Sequence, residues 1–192
     1  MGSEMCIRDS VETFQKNNVC DWVLSPAETD YDLKTFAINI FSSIVNELNY
    51  VGVMGIEFFY GEKGLLINEI APRTHNSAHF SIEACSSSQF DQYVCISSGI
   101  KPPEINMHSQ GSLMINLLGL KKNFPLSIKK RIELLTKIKG SNLHWYGKSK
   151  ENIGRKMAHI TFLLNEKNHF KRVEKSKEIL NKVREIWPSP ND

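Results

Sequence analysis

No stretch of the sequence reaches the roughly 18 apolar residues that a membrane-spanning helix requires. The best candidate, Phe36 to Val45, is interrupted by Asn39, Ser42 and Ser43. Cysteine is scarce as well. Cys6, Cys20, Cys85 and Cys95 form no CxxC pair and no Cys/His grouping at zinc spacing, which argues against a disulfide framework or a sulfur-bound metal and suits reduced thiols in a cytoplasm. An excess of one charge is also missing: 24 Lys and Arg against 21 Asp and Glu leave a formal charge of +3, well short of the concentrated positive stripe of a nucleic-acid surface. There is no internal repeat and no low-complexity tract. Residues 1–10 (MGSEMCIRDS) lack the apolar core of a signal peptide and join poorly to the segment after them, so they are set aside as a non-native or scar segment.

What remains is the composition of a globular chain, with 41% hydrophobic and 23% charged residues over 192 positions, enough for one ordinary domain or two small ones. From Tyr31 to Asn49, Leu33, Phe36, Ala37, Ile40, Phe41, Ile44 and Leu48 recur at spacings of three and four, which predicts an amphipathic helix packed on a core. Asp30 stands at its N-cap and Asn49 at its left-handed end. Ser88 with Asp91 three residues on predicts a capping box, opening a helix that Gly99 closes. After the Lys101, Pro102, Pro103 turn, Ser112 to Leu118 and His159 to Leu164 read as strands, with a basic loop between Trp145 and Lys156. A final helix has Val173, Leu180, Val183 and Trp187 on its apolar face.

Two runs rich in β-branched and aromatic residues, Val51 to Tyr60 and Leu65 to Ile70, flank Gly61-Glu62-Lys63-Gly64 and predict a hairpin. A three-residue loop of Glu62, Lys63 and Gly64, with Gly64 left-handed, would pair Gly61 with Leu65 and set Glu57 opposite Glu69. Opposed side chains share a face about 5 Å apart at Cβ. A two- or four-residue loop would send the carboxylates to opposite faces.

Two facing carboxylates repel, and near an apolar sheet a divalent cation is the simplest resolution. Hard oxygen ligands favour Mg²⁺, with Mn²⁺ as a substitute. The pair by itself reads equally well as a solvated hairpin face. The stretch running on from it, Asn68-Glu69-Ile70-Ala71-Pro72-Arg73-Thr74-His75-Asn76-Ser77, tips the balance. Its guanidinium can hold anionic oxygens through paired N–H bonds and its imidazole can move a proton near neutral pH.

The runs GIEFF, INEIAPRTHNSAHFSIEACSSSQFDQY, SLMINLLG, LHWYGK and GRKMAHI resemble, in order and across roughly Val11 to Trp187, 5-(carboxyamino)imidazole ribonucleotide synthase, also written N5-carboxyaminoimidazole ribonucleotide synthase. The resemblance implies an ATP-grasp ligase of de novo purine synthesis. Such an enzyme uses ATP, Mg²⁺ and bicarbonate, the last by way of carboxyphosphate, to carboxylate 5-aminoimidazole ribonucleotide, releasing ADP and phosphate. It implies Glu57 and Glu69 as metal ligands, Asn68 with Glu69 as the ATP-contacting pair, and Arg73, His75, Asn76 and Ser77 as the imidazole ribonucleotide and carboxyphosphate site, with Arg73 and His75 catalytic. Lys148 and Arg155 would hold the ribose phosphate.

The implied fold is α+β: the C-terminal half of an ATP-grasp domain, an antiparallel sheet with packed helices, over 11–100, then a small mixed α/β domain over 101–192. The family's chains are about twice as long and begin with a nucleotide-fold domain and an ATP lid, for which no Gly-rich phosphate loop or gripping lysine pair stands before Val11. These residues alone are therefore expected to turn over weakly or not at all, and the longer enzyme to be a cytoplasmic homodimer acting on a small molecule, with no nucleic-acid or membrane partner. Two departures are visible: Gln15 stands where the family often has histidine, and Asn152-Ile153 precede Gly154-Arg155-Lys156 where it has Arg-Pro. The alternatives are another ATP-grasp carboxylase or formyltransferase, or a noncatalytic basic module built on Lys121, Lys122, Lys129, Lys130, Arg131 and the last helix. Interleaved Glu133, Glu166, Glu174, Glu178 and Glu185 dilute the field of the latter.

Overall fold

A computed structural model describes residues 10–16, 18–62, 64–120 and 124–190. The segment 1–10, apart from Ser10, lies outside these residues, as do Lys63, Lys121 and Lys122. The chain forms two compact units, and both sheets are antiparallel throughout.

The units do not follow the expected division at 100/101. Among the described residues, the first holds Ser10 and Ala27–His108, and the second holds Val11–Pro26 and Ser109–Pro190. Residues 11–26 change sides because they fold into β1 (Glu12–Lys16) and β2 (Val19–Ser25), and β2 pairs with β5 (Gly111–Leu118) from Trp22↔Ile115 to Ser25↔Ser112. Residues just beyond Pro103 stay with the first unit. An isolated bridge joins Cys85 to Met107, and the His108 N–H donates to the Ala84 carbonyl at 2.9 Å.

In the first unit, α1 (Tyr31–Glu47) starts where expected, the Asp30 carboxylate accepting from the Leu33 N–H at 2.6 Å, and Asn49 is left-handed at φ 47°. Its apolar stripe is half-buried at Leu33, Ala37, Ile40, Phe41 and Ile44, while Phe36 and Leu48 are exposed. Strands β3 (Gly55–Gly61) and β4 (Gly64–Ala71) form the hairpin. A 3₁₀ turn at Asn76–Ala78, α2 (Ser81–Ala84) and α3 (Gln89–Ser97) come next, with the Ser88/Asp91 capping box fully formed and Gly99 left-handed at φ 69°.

The second unit is a five-stranded sheet ordered β1-β2-β5-β7-β6, completed by β6 (Asn142–Trp145) and β7 (Lys156–Leu164). Leu113, Ile115 and Leu117 of β5 join Ile160, Phe162 and Leu164 of β7 in a core with Leu135 of α4 (Ile128–Thr136) and Val183 of α5 (His169–Ile186). Every residue of β5 is buried, and so its sequence is apolar on both faces from Leu113 to Leu118 except at Asn116, instead of alternating. The terminal Trp187, fully buried, donates from its indole N–H to the Leu118 carbonyl at 2.7 Å, which ties the end of α5 to the sheet. No described helix is long and apolar enough to cross a membrane.

Candidate active site

The hairpin reaches the expected pairing by a different route. Gly61 pairs with Gly64, not Leu65, so residues 62 and 63 form a two-residue connection, which alone would have put Glu57 and Glu69 on opposite faces. A β-bulge corrects this. Phe58 pairs with Ile67 and Glu57 with Glu69, so Asn68 is the extra residue that returns the register to the one the carboxylates need. The Asn68 side chain also reaches the pair, its amide donating to Glu57 Oε2 at 3.1 Å.

His75 joins them. One ligand atom from each of Glu57, Glu69 and His75 lies within 4.8 Å of the others, and His75 Nε2 stands 3.6 Å from Glu57 Oε1. The two carboxylates brought together here fit a divalent cation that prefers oxygen ligands. Arg73 reaches back four residues to Glu69, Nη2 to Oε1 3.6 Å, and donates to the Thr74 carbonyl, leaving its guanidinium mostly exposed for an anion. The His75 ring is oriented by its neighbours. The Ser77 hydroxyl lies 2.8 Å from Nδ1, and the Ser77 backbone N–H also points there at 3.4 Å. A backbone N–H can only donate, so Nδ1 accepts and the proton of the neutral ring sits on Nε2, facing Glu57. Asn76, half-buried, accepts from the His79 N–H at its carbonyl and opens the 3₁₀ turn.

Comparison with known proteins finds relatives along most of the chain. A model of the ATP-grasp domain matches residues 2–90, and one of the phosphoribosylaminoimidazole carboxylase C-terminal domain matches residues 112–173. The N5-carboxyaminoimidazole ribonucleotide synthase of Synechococcus elongatus is 38% identical over 181 residues, covering 94% of this chain and 46% of the relative. Along most of its length the chain is thus similar to the N5-carboxyaminoimidazole ribonucleotide synthases. It spans about half the length of the curated relatives it matches, 46% of the Synechococcus protein. Among solved structures, the synthetase of Thermus thermophilus superposes with a TM-score of 0.76 at 31% identity, covering 92% of this chain and 45% of that one. The synthase of Aspergillus clavatus, solved with ADP and 5-aminoimidazole ribonucleotide, superposes with a TM-score of 0.75 at 29% identity, covering 90% and 46%.

The other residues that the synthase motifs pointed to, Lys148 and Arg155, belong to the second unit. Their loop is a built structure. Gly119 holds it by two backbone bonds, donating to the Arg155 carbonyl at 2.8 Å and accepting from the Gly154 N–H at 3.0 Å, and a Cβ at Gly119 would collide with the Asn152 carbonyl. Glu151 accepts from the Leu120 N–H at 2.9 Å and takes a paired bond from Arg131, Nη1 to Oε1 2.9 Å and Nη2 to Oε2 2.7 Å. The Arg131 guanidinium lies 3.9 Å over the Trp187 ring, and the residue is 1% exposed. Arg131 is thus an internal strut and no part of an exposed basic patch, which removes it from the alternative basic module. Lys130 is exposed but bonded to Glu133 at 3.0 Å.

Lys148 donates to the Lys156 carbonyl and stands 5.3 Å over the Tyr146 ring, and burial, then Arg155 and Lys156, lower its pKa. An anion there would relieve that charge crowding. Tyr146 in turn bonds through its hydroxyl to Nδ1 of buried His159 at 2.8 Å, and His144 stacks on His159 with ring centroids 4.6 Å apart. Neither Tyr146 nor His159 stands out in the sequence, because their pairing depends on β6 lying beside β7, His144 opposite His159. Burial pushes the Tyr146 phenol up to about 12. The folded phenol therefore keeps its proton where the unfolded one, with its ordinary pKa of 10.0, has lost it, so its contribution to stability is intact below pH 10.0 and lost as pH rises toward about 12. An ultraviolet titration of tyrosinate should show a late component near pH 12 that Tyr146→Phe removes. A Tyr146→Phe titration identical to the unsubstituted protein's would refute this assignment.

Proposed function

We propose that this chain carries the carboxylate, substrate and ribose-phosphate elements of an ATP-dependent ligase that joins bicarbonate to the exocyclic amine of 5-aminoimidazole ribonucleotide. The observation that supports this most directly is the meeting of Glu57, Glu69 and His75 at a bulged hairpin, with Arg73 two residues before the histidine. Glu57 and Glu69 would hold Mg²⁺, which when bound neutralises phosphate oxygens, and Asn68 would contact the nucleotide beside them. A bicarbonate oxygen attacks the γ-phosphorus of ATP, expelling ADP and leaving carboxyphosphate. The substrate amine then attacks the carboxyl carbon, the bond from that carbon to the phosphorus-bearing oxygen breaks, and inorganic phosphate leaves, taking up the proton that the amine loses.

In that reaction Arg73 pairs with anionic oxygens through its exposed guanidinium, and His75 donates from Nε2–H to the same anion, as its Ser77-fixed tautomer allows. Asn76 and Ser77 complete the substrate-facing turn. Lys148 and Arg155 would bind the ribose phosphate, a dianion that suits two converging cations.

Calorimetric titration of the chain with 5-aminoimidazole ribonucleotide tests the reading without requiring turnover. Lys148→Met is expected to weaken binding by roughly tenfold or more, the effect of losing one hydrogen bond to a charged group, and to flatten its salt dependence, while binding of MgADP stays unchanged. No measurable affinity for the ribonucleotide, or affinity indifferent to Lys148 and Arg155, would reject it.

A further inference from the structure

His75 is held by more than its ring contacts. It sits in extended backbone, φ −119° and ψ 148°, so its N–H and C=O point to the same side, as they do on one edge of a β-strand. The side chain of Gln89, at the first position of α3 and buried, meets that edge like a peptide group. Its Oε1 accepts from the His75 N–H at 2.7 Å and its Nε2 donates to the His75 carbonyl at 2.8 Å. These two bonds leave no ambiguity in the amide. The second hydrogen on Nε2 then lies toward His79 Nδ1, 2.7 Å from the nitrogen, which must accept, so His79 is neutral with its proton on Nε2. Gln89 is itself anchored, its backbone N–H donating to the Ser81 hydroxyl at 3.0 Å. From the other side a Cβ at Gly55 would lie 2.8 Å from that of His75, so only glycine lets the strand approach so closely.

We propose that Gln89 is the positioning residue for His75: its carboxamide clamps the His75 backbone against Gly55 so that Nε2–H is directed at the Glu57 side of the site. This rests on the carboxylation reading for its purpose. The geometry gives the clamp two properties that a packing role would not need: two backbone bonds to one residue and a defined tautomer at His79.

The test is long-range ¹H–¹⁵N correlation of the imidazoles in the 192-residue chain, with the His75 signals assigned by their loss in His75→Gln. His75 and His79 should each show a single Nε2–H pattern. Gln89→Met, similar in volume but unable to hydrogen-bond, should give His75 a mixture of tautomers and speed exchange of its backbone amide by roughly tenfold, the worth of one hydrogen bond, with the circular dichroism of the fold retained. Gln89→Glu keeps the acceptor and loses both donors. The His75 carbonyl then faces a carboxylate oxygen in place of a donor, so this variant too should give His75 a mixture of tautomers. A mixed tautomer at His75 in the unsubstituted chain, or an unchanged His75 pattern in folded Gln89→Met, overturns the proposal. If Gln89→Met does not fold, an unchanged His75 pattern in Gln89→Glu overturns it equally. None of these signals needs nucleotide or substrate, so they are decided separately from the ribonucleotide titration that tests the carboxylation reading.

Discussion

Glu57→Gln is expected to weaken Mn²⁺ binding by roughly 100-fold or more, since even loss of an outer-shell partner costs about 10- to 100-fold at a metal site and this change removes an anionic ligand outright. Glu69→Gln should match it, and Glu62→Gln, on the exposed turn of the same hairpin, should bind as the unsubstituted chain does. Free Mn²⁺ measured by electron paramagnetic resonance reads all three. The effect is electrostatic. Glu57 and Glu69 are brought face to face by the bulge at Asn68, with the His75 ring alongside, so a cation entering that space meets two negative charges whose mutual repulsion it relieves. Asn68→Ala should cost less, because it removes only the 3.1 Å bond that steadies Glu57 and no ligand. Equal affinity in Glu57→Gln and Glu62→Gln would show that the hairpin is a solvated acidic face and that cations there are screened ions.

Arg131→Ala should destabilise the second unit by about 3–5 kcal/mol, the usual cost of removing one partner of a buried pair. The residue is 1% exposed, and its guanidinium stacks on Trp187 and closes a paired bond with Glu151. Its loss leaves a carboxylate that is 17% exposed without its cation and opens a void against the indole. Urea unfolding measures the change. Because Glu151 also accepts from the Leu120 N–H and lies in the loop that carries Lys148 and Arg155, the same substitution should loosen that loop. Removing both charges with Arg131→Met and Glu151→Gln together should recover part of the loss, the non-additivity of a coupled pair. A loss under about 1 kcal/mol, the range of an exposed ion pair, would mean that the strut carries little of the stability.

Much of this molecule is written in short-range pattern. The Asp30 cap, the left-handed Asn49, the Ser88/Asp91 capping box, Gly99 and the central strands β5 and β7 are all legible, because each depends on residues within a turn or two of one another. The hairpin is legible in kind but not in detail. A regular ladder needs a three-residue loop to oppose Glu57 and Glu69, whereas the chain uses two and a bulge. A one-residue bulge leaves no periodic trace in strands this short. The small elements β1, β2, β6 and α4 give no comparable signal, being short and half-exposed, or set by neighbours far along the chain.

By itself the sequence determined that a strand carboxylate pair stands ahead of an Arg-Thr-His-Asn-Ser turn, that a capped helix comes after it, and which family's motifs these are, since order and identity of residues are all that such signals require. Only the tertiary structure decided that Asn68 is the residue that brings the carboxylates into register and that residues 11–26 belong with β5. It alone decided that Gln89 grips the His75 backbone from fourteen residues away and that Arg131 is a buried strut for the basic loop. Each of those rests on a hydrogen bond or strand pairing whose partner is chosen by the closing of the chain in space, and a donor in a sequence carries no mark of the acceptor it will meet.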